Sequence, residues 1–246
     1  MKLPLTTGEA EAWLLDDNEL QVICEALPEM PEAVADDQRA AYRRRRAFAA
    51  HSGQLTIQVV AILAANIGGA CPHLQPDLRC GIYERRPLVC RIYPAEINPF
   101  RELQTAAKAC PPEAWSQERP LLRHHGELVD AHLRTLIREY RDRDAQDAER
   151  RRRLCAALGL DHAAIADEGF VVYSPSRSQW RRALAVSAEV LGPDAPAAPW
   201  HLVTNRRATL ADLTTRAADI VARRATDALA GPAPAWEFLS FLADDL

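Results

Sequence analysis

Four cysteines lie close together along the chain and are its clearest candidates for chemistry: Cys71, Cys80, Cys90 and Cys110. A thiolate is a soft ligand, and four thiolates suit a tetrahedral zinc ion or an iron–sulfur cluster. The gaps between neighbours are 8, 9 and 19 residues, so no pair forms a CxxC chelate. Spacing alone therefore leaves two interpretations open, metal ligation and simple burial of the thiols in a core.

The segment that carries these cysteines, from Asn66 to about Pro112, is rich in proline and glycine. Such a composition interrupts long helices and strands. A bound metal would organise a segment of this kind, because metal-binding energy then becomes folding energy.

The cysteine segment also resembles a known family. It reads CPHL from Cys71 and RCGIYERRPLVCRIYP from Arg79 to Pro94. This is similar to the core motif of the YkgJ-type cysteine-cluster family, the zinc- or iron-chelating proteins. The motif has a Cys followed by an apolar pair, then Cys-x-Ile-Tyr-Glu-x-Arg-Pro-x-x-Cys-Arg, then a later Cys. The resemblance spans roughly Gly68 to Pro111.

Carried over by position, the resemblance implies that Cys71, Cys80, Cys90 and Cys110 are the metal ligands. It also implies iron, as an ion or an iron–sulfur cluster, with zinc as the alternative. Members of the family usually carry a CxxxCC-like cluster ahead of the core, whereas this chain has only Cys24 there. That difference favours one four-cysteine site over a larger cluster.

The remaining candidate ligands have simpler interpretations. Cys24 and Cys155 fall within apolar patterns and are expected to be buried core thiols. His73 follows Cys71 closely and is expected to be a loop imidazole. His125 and His132 are seven residues apart, which would place both on one face of a helix, most simply as core or boundary side chains.

The pattern of apolar residues predicts a mainly α protein with a few short strands, its helices surrounding an irregular cysteine-rich metal-binding core. Thr6 and Glu9 form a capping box for the first helix, which the apolar spacing continues to Leu27. The other predicted elements are a helix through Arg43–Arg46 to Gly53, an apolar run at 55–65 that is either strand or helix, helices at 118–159, 179–191 and 210–229, strands at 170–173 and 201–203, and an apolar tail at 236–242.

This pattern suggests two regions. Residues 1–115 would hold the N-terminal helices and the cysteine-rich module, and residues 116–246 would form a helical region packed on it. The alternative is one continuous domain.

Composition excludes several classes of function. With 246 residues and 48% hydrophobic residues, the chain is long and apolar enough to fold. Its net charge of -4 argues against a nucleic-acid partner. No apolar run approaches the ~20 residues of a membrane span, so we expect a cytoplasmic protein with no membrane partner. Thiols stay reduced in that compartment, which favours metal ligation over disulfides.

The predicted function is therefore a metal-binding cysteine-cluster protein with a redox or metal-handling role, whose partner is a metal ion or cluster. One alternative is a helical interaction protein with a structural zinc. Another is a protein-modifying enzyme, because similar cysteine clusters accompany lysine methylation of flagellin, although the chain has no cofactor-pocket signature. The sequence identifies neither catalytic residues nor a protein partner.

Overall fold

A computed structural model describes residues 2–29, 37–108, 110–116, 118, 122–188, 199–222 and 235–245. The helices in these residues are α1 (Thr7–Leu15), α2 (Gln38–Arg44), α3 (Leu88–Ile92), α4 (Ala131–Gln146), α5 (Ala148–Leu158), α6 (Arg177–Ala188) and α7 (Arg207–Thr215). The strands are β1 (Lys2–Leu5), β2 (Leu20–Pro28), β3 (Phe48–Ser52), β4 (Leu55–Asn66), β5 (Arg123–His124), β6 (Glu127–Leu128), β7 (His162–Ile165), β8 (Gly169–Tyr173), β9 (His201–Thr204), β10 (Ile220–Ala222) and β11 (Trp236–Ser240).

The prediction of a mainly α protein with a few short strands is wrong. The fold is mixed α/β, and nine of the strands form one sheet. The path β1–β4–β2–β7–β9–β10 runs through this sheet, with β3 beside β4 and β8 between β2 and β11. Pairing among β7, β9 and β10 is parallel, whereas β4 pairs antiparallel with β1, β2 and β3.

Strand β2 explains much of this error. The sequence predicts one helix from the capping box to Leu27, but α1 ends at Leu15 and Leu20–Pro28 is the central strand. Residues 20–27 are all buried, and β2 lies inside the sheet, with β4 along one edge and β7 and β8 along the other. A strand buried on both faces shows no alternation of apolar and polar residues, so its pattern resembles that of a helix.

Other predicted elements were partly correct. The capping box is present, with the Thr6 amide donating to the Glu9 carboxylate at 2.9 Å. The apolar run at 55–65 is strand β4, and the predicted strands at 170–173 and 201–203 are β8 and part of β9. The helix predicted to reach Gly53 ends at Arg44 and is followed by β3.

The C-terminal predictions show the same mixture. The helix predicted at 210–229 begins at Arg207 and ends at Thr215, and strand β10 follows it. Most of the apolar tail is strand β11, paired with β8. Residues 189–191 and 223–229 of the predicted helices lie outside the described residues.

The chain divides into two compact units, residues 1–68 with 145–246 (unit 1) and residues 69–144 (unit 2). Unit 1 contains the nine-stranded sheet, on which α1 and α5 pack. Its core includes a buried carboxylate, Glu25, which lies 3.4 Å from the Arg43 guanidinium. Burial raises the pKa of Glu25, although the cations of Arg43 and Arg46 oppose this effect.

Unit 2 contains the cysteine segment, the β5–β6 hairpin and most of α4. Its core forms between α3, the loop that follows α3, and α4, and contains Leu88, Ile92, Ala95, Leu133, Leu136, Ile137 and Tyr140. The continuous helix predicted at 118–159 is thus a hairpin followed by two helices that separate near Asp147. No helix in the described parts of the chain has the length and apolar character needed to cross a bilayer.

Candidate metal centre

The first two cysteines of the segment lie on one folded loop. The Leu74 amide donates to the Cys71 carbonyl at 2.9 Å, and Leu74 forms an antiparallel bridge with Cys80. The Gly81 amide donates to the His73 carbonyl at 2.8 Å. A Cβ at position 81 would lie only 3.3 Å from that carbonyl oxygen, so glycine suits the close approach. The backbone around Cys71 therefore runs beside the backbone around Cys80.

The third cysteine is on a helix that is anchored in the core of unit 2. Cys90 is the third residue of α3 and is half-buried, while Leu88 and Ile92 on the same helix are buried. Pro87 immediately precedes α3 with a φ of -51°, a backbone angle that suits the start of the helical turn carrying Cys90. Cys90 is thus the one candidate ligand on a packed element.

The fourth cysteine lies near the C-terminal end of the same short helix. The Cys110 thiol donates to the Tyr93 hydroxyl at 3.5 Å, and Tyr93 directly follows α3. The Lys108 ammonium lies 5.5 Å from the centre of the Tyr93 ring and pairs with Glu96 at 2.6 Å. The sequence gives no signal for the Lys108–Glu96 pair, because the two residues are twelve apart in a loop.

Two stretches of chain with exposed or half-buried side chains, residues 68–86 and 98–116, lie before and after this anchored helix. No described residue in 68–86 or in 98–116 is buried. Three of the four cysteines, Cys71, Cys80 and Cys110, lie in these two stretches. Their backbone is held by turns and short 3₁₀ helices at Tyr83–Arg85, Thr105–Ala107 and Pro112–Trp115, and hydrophobic burial contributes little to it.

The donor set fits zinc or iron by its chemistry, because all four cysteines are free thiols that are exposed or half-buried. Their side chains are not gathered at one point. Among the residues that the structure describes, no three His, Cys, Asp or Glu side chains lie close enough together to hold a metal ion. The assignment of Cys71, Cys80, Cys90 and Cys110 as one ligand set stays a prediction.

The other two cysteines are core thiols, as the sequence predicts. Cys24 on β2 and Cys155 on α5 are both buried, and their thiols are hydrogen-bonded to each other. Burial is the main cause that raises the pKa of Cys24, and the neighbouring Cys155 adds to it. Cys24 is therefore suited to packing as a neutral thiol. The sequence did not predict that the two are in contact.

The histidines do not form the pair on one helix face that the sequence allows. His125 lies in the turn of the β5–β6 hairpin with a φ of 47°, and its ring is 4.1 Å from that of His124, whereas His132 is on α4. The residue after His125, Gly126, also has a positive φ of 83°. A glycine at this position was the available sequence signal for a turn.

Comparisons with known proteins give one match. A family model, CxxCxxCC, described as a putative zinc- or iron-chelating domain, matches residues 23–111, which is less than half of the chain. The matched range contains all four predicted ligands. No curated protein and no solved structure matches the chain. The resemblance found at the cysteines is thus confirmed, because residues 23–111 are similar to the CxxCxxCC family of zinc- or iron-chelating domains.

Proposed function

We propose that unit 2 is a metal-chelating unit in which Cys71, Cys80, Cys90 and Cys110 bind one metal ion or one iron–sulfur cluster. The observation that carries the proposal is the family match over the cysteine segment, which supports metal binding in general. The choice of these four ligands rests on their number, their accessibility and their position in one unit. Cys24 and Cys155 are left out because they are buried in unit 1.

The contacts within unit 2 suggest how the site forms. Cys90 has a fixed position on α3, and Tyr93 on the same segment already contacts Cys110. Cys71 and Cys80 share one folded loop, so they would enter the site together. We infer that the metal draws this loop and the segment around Cys110 onto the anchored α3. Metal binding would then supply the ordering that burial does not supply in 68–86 and 98–116.

The side chains next to the cysteines have a supporting role in this proposal. A site of four thiolates and a divalent ion carries a formal charge of -2, which nearby cations and amides offset. Arg85, Arg86 and Arg91 lie between and beside the cysteines in sequence, and Lys108 lies above the Tyr93 ring. The Arg86 guanidinium is 3.7 Å from the centre of the Tyr83 ring, a stacked arrangement that keeps this cation near the loop.

The identity of the bound metal distinguishes the two candidate functions. Iron, as an ion or a cluster, would fit a redox or metal-handling protein, and zinc would fit a structural site that holds the two exposed segments. The lack of buried side chains in those segments favours the structural zinc as the second candidate. In both cases the thiols must stay reduced, which places the protein in a reducing compartment such as the cytoplasm.

Anaerobic purification tests the proposal. We expect one metal ion or one cluster per chain, and an iron–sulfur cluster would also give visible absorption, whereas zinc would give none. Cys80→Ser should lose the metal, while the matched control Cys155→Ser should keep it, because Cys155 is buried in unit 1. Full metal content in Cys80→Ser, or no metal in the wild type after reconstitution with both zinc and iron, would contradict the proposal.

A further inference from the structure

Four arginines line one surface cavity of unit 2. The cavity has a volume of about 360 Å³ and lies between α4, the loop that follows α3 and the β5–β6 hairpin. Arg134, Arg138 and Arg141 line it from α4, where positions i, i+4 and i+7 share one helix face, and Arg123 lines it from β5. Its volume falls within the range of roughly 300–1,000 Å³ that is typical of small-molecule sites.

The positive charge of this cavity has little opposing charge. Glu96 is the one acidic residue among the residues that line it, and its carboxylate is paired with Lys108 at 2.6 Å. The side chains of this pair are only 15% and 13% exposed, so the negative charge of Glu96 is compensated in a partly buried environment. The cavity is therefore lined by four guanidinium groups and by one carboxylate, whose charge is already compensated by Lys108.

The arginines are held mainly by neutral oxygens. Arg123 donates to the Gly126 carbonyl at 2.7 Å, and Arg134 donates to the carbonyls of Leu128 and Val129. Arg138 donates to the Thr135 hydroxyl at 3.4 Å. Within the described part of the chain, these three arginines make no ion pair.

A guanidinium has five N–H donors, and these contacts use only one or two of them in each arginine. The fourth arginine is fixed in the same way, since Arg141 donates from Nε to the Ile97 carbonyl at 2.8 Å. Donors therefore remain on the guanidinium groups of Arg123, Arg134 and Arg138, which neighbouring oxygens already position. Ile137, which is buried, and Leu128 supply apolar surface to the same cavity.

We propose that this cavity binds a small polyanion with at least two phosphate or carboxylate groups. A guanidinium group binds a phosphate or a carboxylate through two parallel N–H···O hydrogen bonds. The cavity would therefore recognise both kinds of group as oxyanions. Because several arginines are positioned before binding, little ordering of side chains opposes the association. The proposal is independent of the metal site, since none of the four candidate cysteine ligands lines the cavity.

Isothermal titration with two probe anions tests this proposal. Pyrophosphate offers two phosphate groups and tricarballylate offers three carboxylates, so the two probes distinguish the sources of the anion. We expect at least one of them to bind, with an affinity that falls as the salt concentration rises. Arg138→Gln should weaken that binding about tenfold, because it removes a charge-assisted contact. Arg138 is exposed, so the change should leave the fold intact.

Arg143→Gln is the matched control. Arg143 is on the same helix, but it pairs with Glu139 at 2.6 Å and does not line the cavity. Its substitution removes the same charge and should leave the affinity unchanged. Absence of binding for both anions at millimolar concentration would overturn the proposal. Equal weakening of binding by Arg138→Gln and Arg143→Gln would also overturn it, because that result indicates only a general effect of net charge. Cys80→Ser should keep the anion affinity, so failure of the metal proposal is measured separately.

Discussion

Replacing Cys80 by serine separates the contribution of the metal to stability from that of the packed core. Cys80 is half-buried and lies in the stretch 68–86, where no described residue is buried. Serine there leaves the core between α3 and α4 intact. We therefore expect Cys80→Ser to change the free energy of unfolding of the metal-free protein by no more than about 0.5 kcal/mol, as is usual for surface substitutions.

The metal-bound protein should respond very differently. A ligand that binds only the folded state stabilises it by RT ln(1 + [L]/Kd), which is about 4 kcal/mol when the free metal exceeds its Kd a thousandfold. The wild type should gain this amount, and Cys80→Ser, left with three of the four thiolates, should lose most of it. Urea unfolding with and without the metal measures the difference. Far-UV circular dichroism should change little, because neither the sheet nor the core of unit 2 involves Cys80.

Cys155→Ser provides the opposite control. Cys155 is 2% exposed, so a hydroxyl at this position costs about 1–3 kcal/mol, and that cost should be the same with and without metal. Trypsin adds a local measurement, because Arg79 and Arg85 are exposed and lie in this stretch: metal should slow cleavage there in the wild type but not in Cys80→Ser. If Cys80→Ser keeps the full metal-dependent gain in stability and in protease resistance, the reasoning is refuted.

Three further predictions concern the fold. Ile92→Ala should lower the free energy of unfolding of unit 2 by about 2–5 kcal/mol in urea titrations, because Ile92 is fully buried between α3 and α4; a loss below 1 kcal/mol would argue against this core. Burial raises the pKa of Glu25 in the folded protein above its value in the unfolded chain. The contribution of Glu25 to stability is therefore fully present below the unfolded-state pKa, and it is lost as the pH rises through the folded-state pKa. Glu25→Gln should thus be more stable than the wild type at neutral pH and equal to it below about pH 4, and equal stability at both pH values would contradict the assigned burial. Gly169→Ala should detach β11, because its Cβ would lie 2.5 Å from the Leu239 carbonyl oxygen, whereas Gly8→Ala meets no atom within 4 Å and should be harmless; the fluorescence of Trp236 on β11 reports the difference.

The chemistry of the candidate site was predictable from the sequence, whereas the fold was not. The cysteine motif is a local feature of the sequence, and the family match over it supports metal binding in general, while the choice of the four ligands stays a prediction. The central strand β2 was mistaken for helix because Leu20, Ile23, Cys24 and Leu27 are spaced as on a helix face. In the structure, every residue from 20 to 27 is buried, so burial does not follow a helical spacing. The strands that pair with β2 are distant from it in sequence.

Long-range pairing also decides the organisation into units. Strand β2 pairs with β7 and β8, which come more than one hundred residues later, and β8 pairs with β11 near the end of the chain. Unit 1 is therefore built from two stretches of the chain, one before and one after unit 2 in the sequence. No local pattern in a single sequence encodes such pairing, because it depends on which edges remain available once the other strands are placed. The turn at Gly126, in contrast, had a local signal that the apolar spacing of the neighbouring residues outweighed.

X-ray absorption at the metal edge tests the central claim most directly, because it reports which atoms surround the metal in the intact protein. The account predicts a coordination sphere of sulfur alone, with metal–sulfur distances of about 2.3 Å, contributed by Cys71, Cys80, Cys90 and Cys110. Each of the four Cys→Ser variants should replace one sulfur by oxygen or lose the metal, and Cys24→Ser should leave the spectrum unchanged. A sphere dominated by nitrogen and oxygen, or a spectrum that none of the four substitutions alters, would contradict the account.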